Sequence, residues 1–305
     1  MSRIHEALKR AAKERSERSS GSDNHELIDI LEEKPPAPAS TTTRVDKKDV
    51  GVKEQAPVAH TDYDRLVAKC RKVQWDTQQR YSVFANETLN HVGAEKFRTL
   101  RSRLYQIAAA QPIKRILLTS SVPEEGKTFI AANLALSIIR QPERRVLLID
   151  ADLRASRLHV VLGAPNDAGL SDYLQSAIEE TSVIQVAKEG NFCFIPGGSQ
   201  VSNPSELLHS DRMKALLDKL TPMFDWIILD SPPAIAVHDA SILADMCDGV
   251  LFVVKAGQTD FELAERASSE FRDKNLLGVV LNRVEKNESY GDYYYGYSAE
   301  HREKV

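Results

Sequence analysis

Long apolar runs and abundant cysteine are both missing from this sequence of 305 residues. No stretch approaches the roughly 18–20 apolar residues that a membrane-spanning helix needs, and the first residues lack the apolar core of a secretory signal. The three cysteines, Cys70, Cys193 and Cys247, have neither metal-ligand nor disulfide spacing. We therefore expect neither a membrane-spanning chain nor a disulfide-stapled secreted domain, and predict a soluble protein of the reducing cytosol.

An excess of either charge sign is missing as well. The chain has 40 Lys and Arg against 44 Asp and Glu, a net charge of −4 and a pI near 6.1. No overall basic field is available to attract a polyanion, so we predict no nucleic-acid partner. Hydrophobic residues make up 42% of the chain, which is enough for a core, but they are unevenly distributed.

The first part of the chain is polar. Within residues 1–18, Ile4 and Leu8 share one face with alanines and predict a short amphipathic helix, either solvated or docked on a partner or membrane surface. Residues 19–62 are rich in Ser, Asp, Glu, Thr, Lys and Pro. Such a segment cannot bury enough apolar surface to offset its ordering entropy, so we predict a disordered, flexible linker.

The character of the sequence changes at about residue 87. Residues 63–86 are mixed and predict only a partial helix over Leu66–Arg71. From 87 to 285, near-continuous apolar strands alternate with amphipathic helices, which indicates an α/β domain with a mostly parallel sheet covered on both faces. The predicted strands are Arg115–Thr119, Arg145–Ile149, Phe192–Ile195, Trp226–Leu229, Val250–Val254 and Gly278–Asn282. A tyrosine-rich tail over 286–305 follows this domain.

A Gly-Lys-Thr sequence lies between a predicted strand and a predicted helix. This strand–loop–helix context is the one that a phosphate-binding P-loop requires, because loop N–H groups and a helix N-terminus together favour an anion. Lys127 can reach the β- and γ-phosphates of a nucleotide, and the Thr128 hydroxyl can ligate magnesium. The loop residues expected to contact the nucleotide are Ser121, Val122, Pro123, Glu124, Glu125, Gly126, Lys127 and Thr128.

Two residues of this loop depart from the usual P-loop pattern. Ser121 replaces the first glycine, and a left-handed backbone there would cost roughly 1–2 kcal/mol. That cost is small beside phosphate contacts worth roughly 1.5–3 kcal/mol each. Glu125 replaces a common small residue, which the loop tolerates if only the N–H of Glu125 faces the nucleotide and its carboxylate points to solvent.

Three carboxylates follow apolar strands. Asp150 and Asp152 end one predicted strand, and Asp230 ends another before Ser-Pro-Pro. Strand alternation directs the first two to one side, and parallel strands end at the same edge of a sheet. Each Asp alone is explained by a helix cap, but three at the edge that carries the P-loop predict a nucleotide site with magnesium, which prefers oxygen ligands.

Eight stretches together resemble the bacterial tyrosine kinases of polysaccharide synthesis, whose catalytic domain is built on a P-loop. They are Glu95–Arg101, Asp150–Arg154, Gly169–Leu174, Ile195–Gly198, Asn203–Leu208, Asp230–Pro233, Leu281–Asn282 and the tyrosine tail. The resemblance covers about residues 87–300. The opening Met-Ser-Arg-Ile-x-Glu-Ala-Leu is similar to a subgroup found with exopolysaccharide and exosortase loci.

The resemblance implies a role for each matching site residue. Lys127 and Thr128 would hold phosphate and magnesium, while Asp150 and Asp230 would organise the metal directly or through water. Asp152 would accept the tyrosyl proton or support the acceptor, and Asp150 is the other candidate for that role.

Further roles are implied outside the phosphate site. Asn282 would contact adenine, unless it is an ordinary strand-end asparagine. Glu95, Arg98 and Arg101 would form contacts between the subunits of a ring-like homo-oligomer, unless they are a solvated helix face.

Five of the nine tyrosines lie in the tail, interleaved with Gly and Asp, which favours mobility over packing. From Arg283 to Tyr297 an extended chain spans at most ~50 Å, so the tail can reach its own site or a neighbour's. The resemblance implies the neighbour's site and transfer of the ATP γ-phosphoryl group to tyrosine. The expected phosphoacceptors are Tyr290, Tyr293, Tyr294, Tyr295 and Tyr297.

Partners and alternatives follow from the same comparison. The resemblance implies a membrane polysaccharide co-polymerase of the chain-length type as activator, a tyrosine phosphatase, and a cytoplasmic location at the inner membrane through the partner. Two other functions stay open. One is a switch ATPase of the partitioning or cell-division type, which carries a lysine where this chain has Val122. The other is a non-catalytic nucleotide-binding scaffold.

Overall fold

The computed structural model describes residues 58–75, 81–86, 90–176, 178–188 and 190–284. The predicted N-terminal helix, most of the predicted linker and the tyrosine-rich tail lie outside the described residues. Among the described helices, none combines the length and the apolar character needed to cross a membrane.

One eight-stranded sheet forms the centre of the described part. Its strands are β1 (Arg71–Lys72), β2 (Arg115–Ser120), β3 (Val146–Asp150), β4 (Gln185–Val186), β5 (Phe192–Ile195), β6 (Trp226–Asp230), β7 (Gly249–Lys255) and β8 (Leu276–Asn282). Their spatial order is β1-β4-β5-β3-β6-β2-β7-β8. All neighbouring pairs are parallel except β4 with β5. The predicted mostly parallel α/β fold is confirmed.

Helices cover both faces of this sheet. They are α1 (Val58–Lys69), α2 (His91–Ala110), α3 (Lys127–Ile139), α4 (Leu158–Leu162), α5 (Leu170–Gln175), α6 (Pro204–Leu208), α7 (Asp211–Leu220), α8 (Asp239–Ala244) and α9 (Phe261–Ser269). Helices α2, α3 and α4 pack on one face, and α1 and α5 to α9 supply the core of the other. Two apolar layers therefore hold the central strands rigidly between them.

Strand alternation divides the core between those two layers. In β2, Ile116 and Leu118 belong to the layer beneath α3, whereas Leu117 belongs to the opposite layer. All three side chains are fully buried. Because successive strand side chains point to opposite faces, an apolar residue at every position is what a sheet covered on both sides requires.

The fold begins earlier than the sequence predicted. A helix was expected over Leu66–Arg71, but α1 spans Val58–Lys69, so its first turns fall within the predicted linker. Arg71 is instead the first residue of the edge strand β1. Tyr63 explains the difference, because its side chain is buried and its hydroxyl donates to the carbonyl of Gly190 at 2.6 Å. This long-range contact leaves no local sequence pattern.

Candidate nucleotide site

The phosphate-binding loop connects the central strand β2 to helix α3. Gly126 precedes the helix with φ of 94°, the left-handed region that favours glycine. A Cβ atom there would also overlap the side-chain amide of Asn282. Both the backbone angle and the close approach therefore require glycine, and the N–H groups of the first turn of α3 face the loop.

The phosphate loop has left-handed backbone, but not at Ser121. The left-handed non-glycine residue here is Glu124, with φ of 65°, whereas Ser121 is outside the positive-φ region. Ser121 is fully buried, and its hydroxyl has no hydrogen-bond partner among the described residues. The missing first glycine therefore causes no left-handed strain at its own position.

The Glu125 carboxylate does not point to solvent, so the loop accommodates it in another way than the sequence suggested. The side chain is buried, with 1% exposure. Its Oε2 accepts from the N–H of Val122 at 2.8 Å, and its Oε1 accepts from the Thr259 hydroxyl. The carboxylate turns inward because the β7–α9 connection supplies donors there, which the sequence of the loop alone does not show.

Lys127 is the cation of the site. Its ammonium group lies 3.0 Å from Oδ2 of Asp152, and both side chains are largely buried. Burial lowers the pKa of Lys127, but the carboxylates of Asp230 and Asp152 outweigh that effect and raise the pKa overall. Lys127 therefore stays charged and is aimed at the loop edge of the sheet.

Asp150 is held by the turn that follows β3. Its Oδ2 accepts from the Ser156 hydroxyl at 2.7 Å and from the N–H groups of Arg157 and Leu158, each at 3.0 Å. The carboxylate thus caps the start of α4. Burial is the main cause that raises its pKa, although these hydrogen bonds lower it. Its Oδ1 accepts from the N–H of Asp152 at 3.3 Å, so donors close in the sequence hold both oxygens of Asp150.

Asp230 lies beside Asp150 in the sheet register. It is almost fully buried, and neither carboxylate oxygen has a hydrogen-bond partner among the described residues. Burial raises its pKa, Lys127 lowers it, and the charge of Asp150 raises it further. The Thr128 hydroxyl is near enough to lower the pKa but falls short of hydrogen-bond geometry.

These orphaned oxygens fit a hard cation. Magnesium takes oxygen ligands and commonly binds through one or two carboxylates plus substrate phosphates. Asp230 and the Thr128 hydroxyl offer such ligands next to the phosphate loop, and Asp150 lies on the adjacent strand. No cluster of three or more His, Cys, Asp or Glu side chains forms a metal cage within the described ranges. The donor set therefore suits magnesium shared with a nucleotide.

Asn282 ends β8 directly against the loop. Its Nδ2 donates to the carbonyl of Glu125 at 2.8 Å, and its Oδ1 accepts from the N–H of Arg283 at 2.9 Å. The structure therefore gives Asn282 a loop-supporting contact that the sequence did not suggest. The expected adenine contact stays a prediction.

Two supporting residues escaped the sequence reasoning. Ser156 orients Asp150, and a Cβ atom on Gly197 would collide with its hydroxyl. Asp239, fully buried at the start of α8, binds the guanidinium of Arg154 at 2.8 Å. Arg154 belongs to the same stretch as Asp150 and Asp152, so its charge was a usable signal, but its partner is remote in sequence.

The three residues expected at a subunit contact lie on α2. Arg98 pairs with Glu95 one turn earlier on this helix. Arg101 instead donates to the carbonyl of Ser137 on α3, so part of its binding capacity is used within the chain. The phosphoacceptor tyrosines lie outside the described residues.

Comparison with known proteins gives the class first. Residues 116–304 match the family described as the CobQ/CobB/MinD/ParA nucleotide binding domain. This match covers more than half of the chain and agrees with the P-loop and the strand-end aspartates. The chain therefore has the P-loop nucleotide-binding domain of this class.

Similar proteins of known name identify the family within this class. The tyrosine-protein kinase YwqD of Bacillus subtilis (strain 168) is 34% identical over 230 residues, which cover 74% of this chain and 95% of that protein. The tyrosine-protein kinase wzc of Salmonella typhimurium (strain LT2) is 36% identical over 213 residues, covering 68% of this chain but 29% of the relative. The chain belongs to the bacterial tyrosine kinases, which confirms the family prediction.

A solved structure agrees with this placement. The kinase domain of the Escherichia coli tyrosine kinase ETK has a TM-score of 0.61 and 34% identity, covering 64% of this chain and 77% of that one. The narrower exosortase-associated subgroup rests on the first residues, which lie outside the described part of the chain, and stays a prediction.

Proposed function

We propose that this protein is an ATP-dependent tyrosine autokinase that phosphorylates its own C-terminal tyrosines and thereby regulates exopolysaccharide synthesis or export. The observation that carries the proposal is the arrangement of Lys127 against Asp152 and Asp230 at the end of the phosphate loop. This arrangement suits a triphosphate with its metal ion. The ammonium group of Lys127 attracts the negative phosphates, and the carboxylates attract the positive metal ion.

Positioning and charge neutralisation supply most of the catalysis in this proposal, since phosphoryl transfer asks little covalent help of the protein. Lys127 moves from Asp152 towards the β- and γ-phosphates when the nucleotide binds. Magnesium, held by Asp230 and Thr128 with Asp150 in support, would neutralise charge on the phosphates. The N–H groups at the start of α3 bind phosphate oxygens.

Asp152 is the proposed proton acceptor. As the tyrosyl oxygen forms its bond to the γ-phosphorus, the bond from that phosphorus to the ADP oxygen breaks and Asp152 takes the phenolic proton. Asp150 suits this role less well, because its Oδ2 already accepts three hydrogen bonds that cap α4. Asp152 accepts from the N–H of Ala155 at 3.0 Å and becomes available when Lys127 leaves it.

The remaining parts of the proposal rest on the family. Asn282 contacts adenine from the end of β8, and Glu95, Arg98 and Arg101 join subunits in a ring-like homo-oligomer. The tail of one subunit enters the site of its neighbour. A membrane co-polymerase activates the kinase and holds it at the inner membrane, and a tyrosine phosphatase reverses the modification.

Incubation of the purified chain with γ-labelled ATP and magnesium tests the proposal. The label is expected on Tyr290, Tyr293, Tyr294, Tyr295 or Tyr297, located by mass spectrometry. Lys127→Met should lower incorporation at least about 100-fold, because it removes the charge that stabilises the transferring group. Lys188→Met, which removes an exposed lysine far from the loop, should retain the wild-type rate.

Other outcomes of this experiment would favour a different function. Release of free phosphate without tyrosine label would contradict the kinase and favour a switch ATPase. Nucleotide binding with neither product would favour a scaffold. Equal label in the wild type and in Lys127→Met would remove the phosphate loop from the reaction.

A further inference from the structure

The Glu125 carboxylate joins the phosphate loop to the end of β7 and to the connection that follows this strand. Its two oxygens accept from the N–H of Val122 within the loop, from the Thr259 hydroxyl and, at 3.4 Å, from the N–H of Lys255. Lys255 ends β7, and Thr259 lies between β7 and α9. The carboxylate therefore fixes the phosphate loop to the neighbouring strand of the sheet.

The Thr259 hydroxyl accepts one hydrogen bond and donates another. Its Oγ1 accepts from the N–H of Lys255 at 3.1 Å, so the hydroxyl hydrogen is free to point at Glu125. Thr259 is itself 5% exposed. From the other side, Nδ2 of Asn282 donates to the Glu125 carbonyl. Residue 125 is thus held at both its side chain and its backbone.

The negative charge of Glu125 excludes a direct role of this side chain in attracting phosphate. A carboxylate in the loop repels a triphosphate, and its burial is costly unless every oxygen is hydrogen-bonded. Glu125 can therefore favour nucleotide binding only through the geometry of the loop. By holding Val122 and the β7–α9 connection, the carboxylate keeps the left-handed backbone at Glu124 and Gly126 in one conformation before the nucleotide binds.

We propose that Glu125 is a positioning residue of the nucleotide site, which acts through Val122 and Thr259 to preorganise the phosphate loop. The inference rests on the proposed function, since it assumes that this loop binds the phosphates of ATP. It assigns to Thr259 a role that its position outside the loop conceals. A buried acid and a buried hydroxyl form one unit with the loop.

Substitution of Glu125 by glutamine distinguishes two effects of the carboxylate, because they change the affinity for Mg-ADP in opposite directions. Loss of charge repulsion would raise the affinity, whereas loss of loop positioning would lower it. Glu125→Gln removes the repelling charge but puts an NH2 group against one of the present donors. A positioning role predicts about tenfold weaker binding of Mg-ADP by calorimetry. In autophosphorylation the KM for ATP should rise by the same factor, while kcat changes less than about threefold because Lys127 and Asp152 are intact.

Variants of Thr259 give a second test that leaves Glu125 unchanged. They decide the question even if Glu125→Gln does not fold. Thr259→Val removes the hydroxyl at nearly constant shape and should weaken Mg-ADP binding several-fold. Thr259→Ser keeps the hydroxyl and should restore it. Glu262→Gln makes the same chemical change at an exposed position on α9 and should bind like the wild type.

The outcomes separate this inference from the proposed function. Wild-type or tighter Mg-ADP binding by Glu125→Gln would overturn it, as would equal binding by Thr259→Val and Thr259→Ser. If the wild-type chain binds Mg-ADP but labels no tyrosine, the kinase proposal fails while the comparison of loop variants still decides the role of Glu125.

Discussion

At the scale of single residues, the nucleotide site sets three buried acids around one ammonium group. Lys127 contacts Asp152, while Asp150 and Asp230 lie side by side on β3 and β6. Burial is the main cause that raises the pKa of both Asp150 and Asp230, and a neighbouring carboxylate adds to it, from Asp152 on Asp150 and from Asp150 on Asp230. The site therefore holds an unfavourable negative charge, which the proposed magnesium ion would relieve.

Asp230→Asn is expected to stabilise the nucleotide-free protein while abolishing tyrosine labelling. The variant removes a buried carboxylate whose oxygens lack hydrogen bonds. Since one pKa unit corresponds to about 1.4 kcal/mol, the free energy of unfolding at neutral pH should rise by about 1 kcal/mol or more. The melting temperature should rise by roughly 2–4 °C per kcal/mol, measured by calorimetry without nucleotide.

The pH dependence follows from the direction of the shift. Because the pKa of Asp230 is raised on folding, its protonation favours the folded state. The wild type should therefore lose stability, relative to Asp230→Asn, as the pH rises from the ordinary carboxyl range through the raised pKa. The two should converge at acid pH. Asp273→Asn, at an exposed position, should show no such trend, and a constant offset for Asp230→Asn would contradict the argument.

At the scale of elements, helix α3 does more than present its N-terminus to phosphate. Asn133 in its middle is fully buried. Its Oδ1 accepts from the N–H of Val83 at 2.9 Å, and its Nδ2 donates to the carbonyl of Tyr81 at 2.8 Å. One side chain thus fastens the segment 81–86 to the helix that follows the phosphate loop.

Asn133→Ala is expected to lower the free energy of unfolding by about 2–4 kcal/mol, because it leaves a backbone donor and acceptor without partners. The amide of Val83 should exchange hydrogen faster, as mass spectrometry of deuterated peptides can show. Asn203→Ala removes an exposed side-chain contact and should change stability by less than about 0.5 kcal/mol. Unchanged exchange at Val83 would show that the contact does not hold the segment.

At the scale of the whole molecule, parallel strands gather the site from distant parts of the chain. Strands β2, β3, β6 and β8 all end at the edge where α3 begins. The last described residue, Val284, follows β8 closely, so the chain leaves the sheet beside the phosphate loop. The described part of the chain therefore ends close to the site. Whether the tail enters this site or that of a neighbouring subunit stays a prediction.

A mixing experiment decides between transfer within and between subunits. Lys127→Met retains the tail but lacks activity, while a variant with the five tail tyrosines changed to Phe retains the active site. If the transfer is between subunits, only their mixture with labelled ATP should give tyrosine label, all of it on Lys127→Met. A mixture without label, beside an active wild type, would show that transfer occurs within one chain.

Much of the fold was predictable because apolar runs and turn residues are local signals. The strand predicted at Phe192–Ile195 has the observed bounds, and the prediction at Trp226–Leu229 stops one residue early. The short strands β1 and β4 were missed, since two residues carry no periodicity. β1 follows α1 directly, and the hydroxyl of Tyr63 on α1 donates to the carbonyl of Gly190, which lies between β4 and β5.

The family, the α/β layers and the residues at the phosphate loop could all be inferred from the sequence before the fold was known. Glycine, lysine and strand-end aspartates carry that information because their chemistry and spacing are local. Only the folded structure shows that Asp230 lacks hydrogen-bond partners among the described residues and that Glu125 turns inward to Thr259. These outcomes depend on which donors the folded chain brings from far along the sequence, so no local pattern could reveal them.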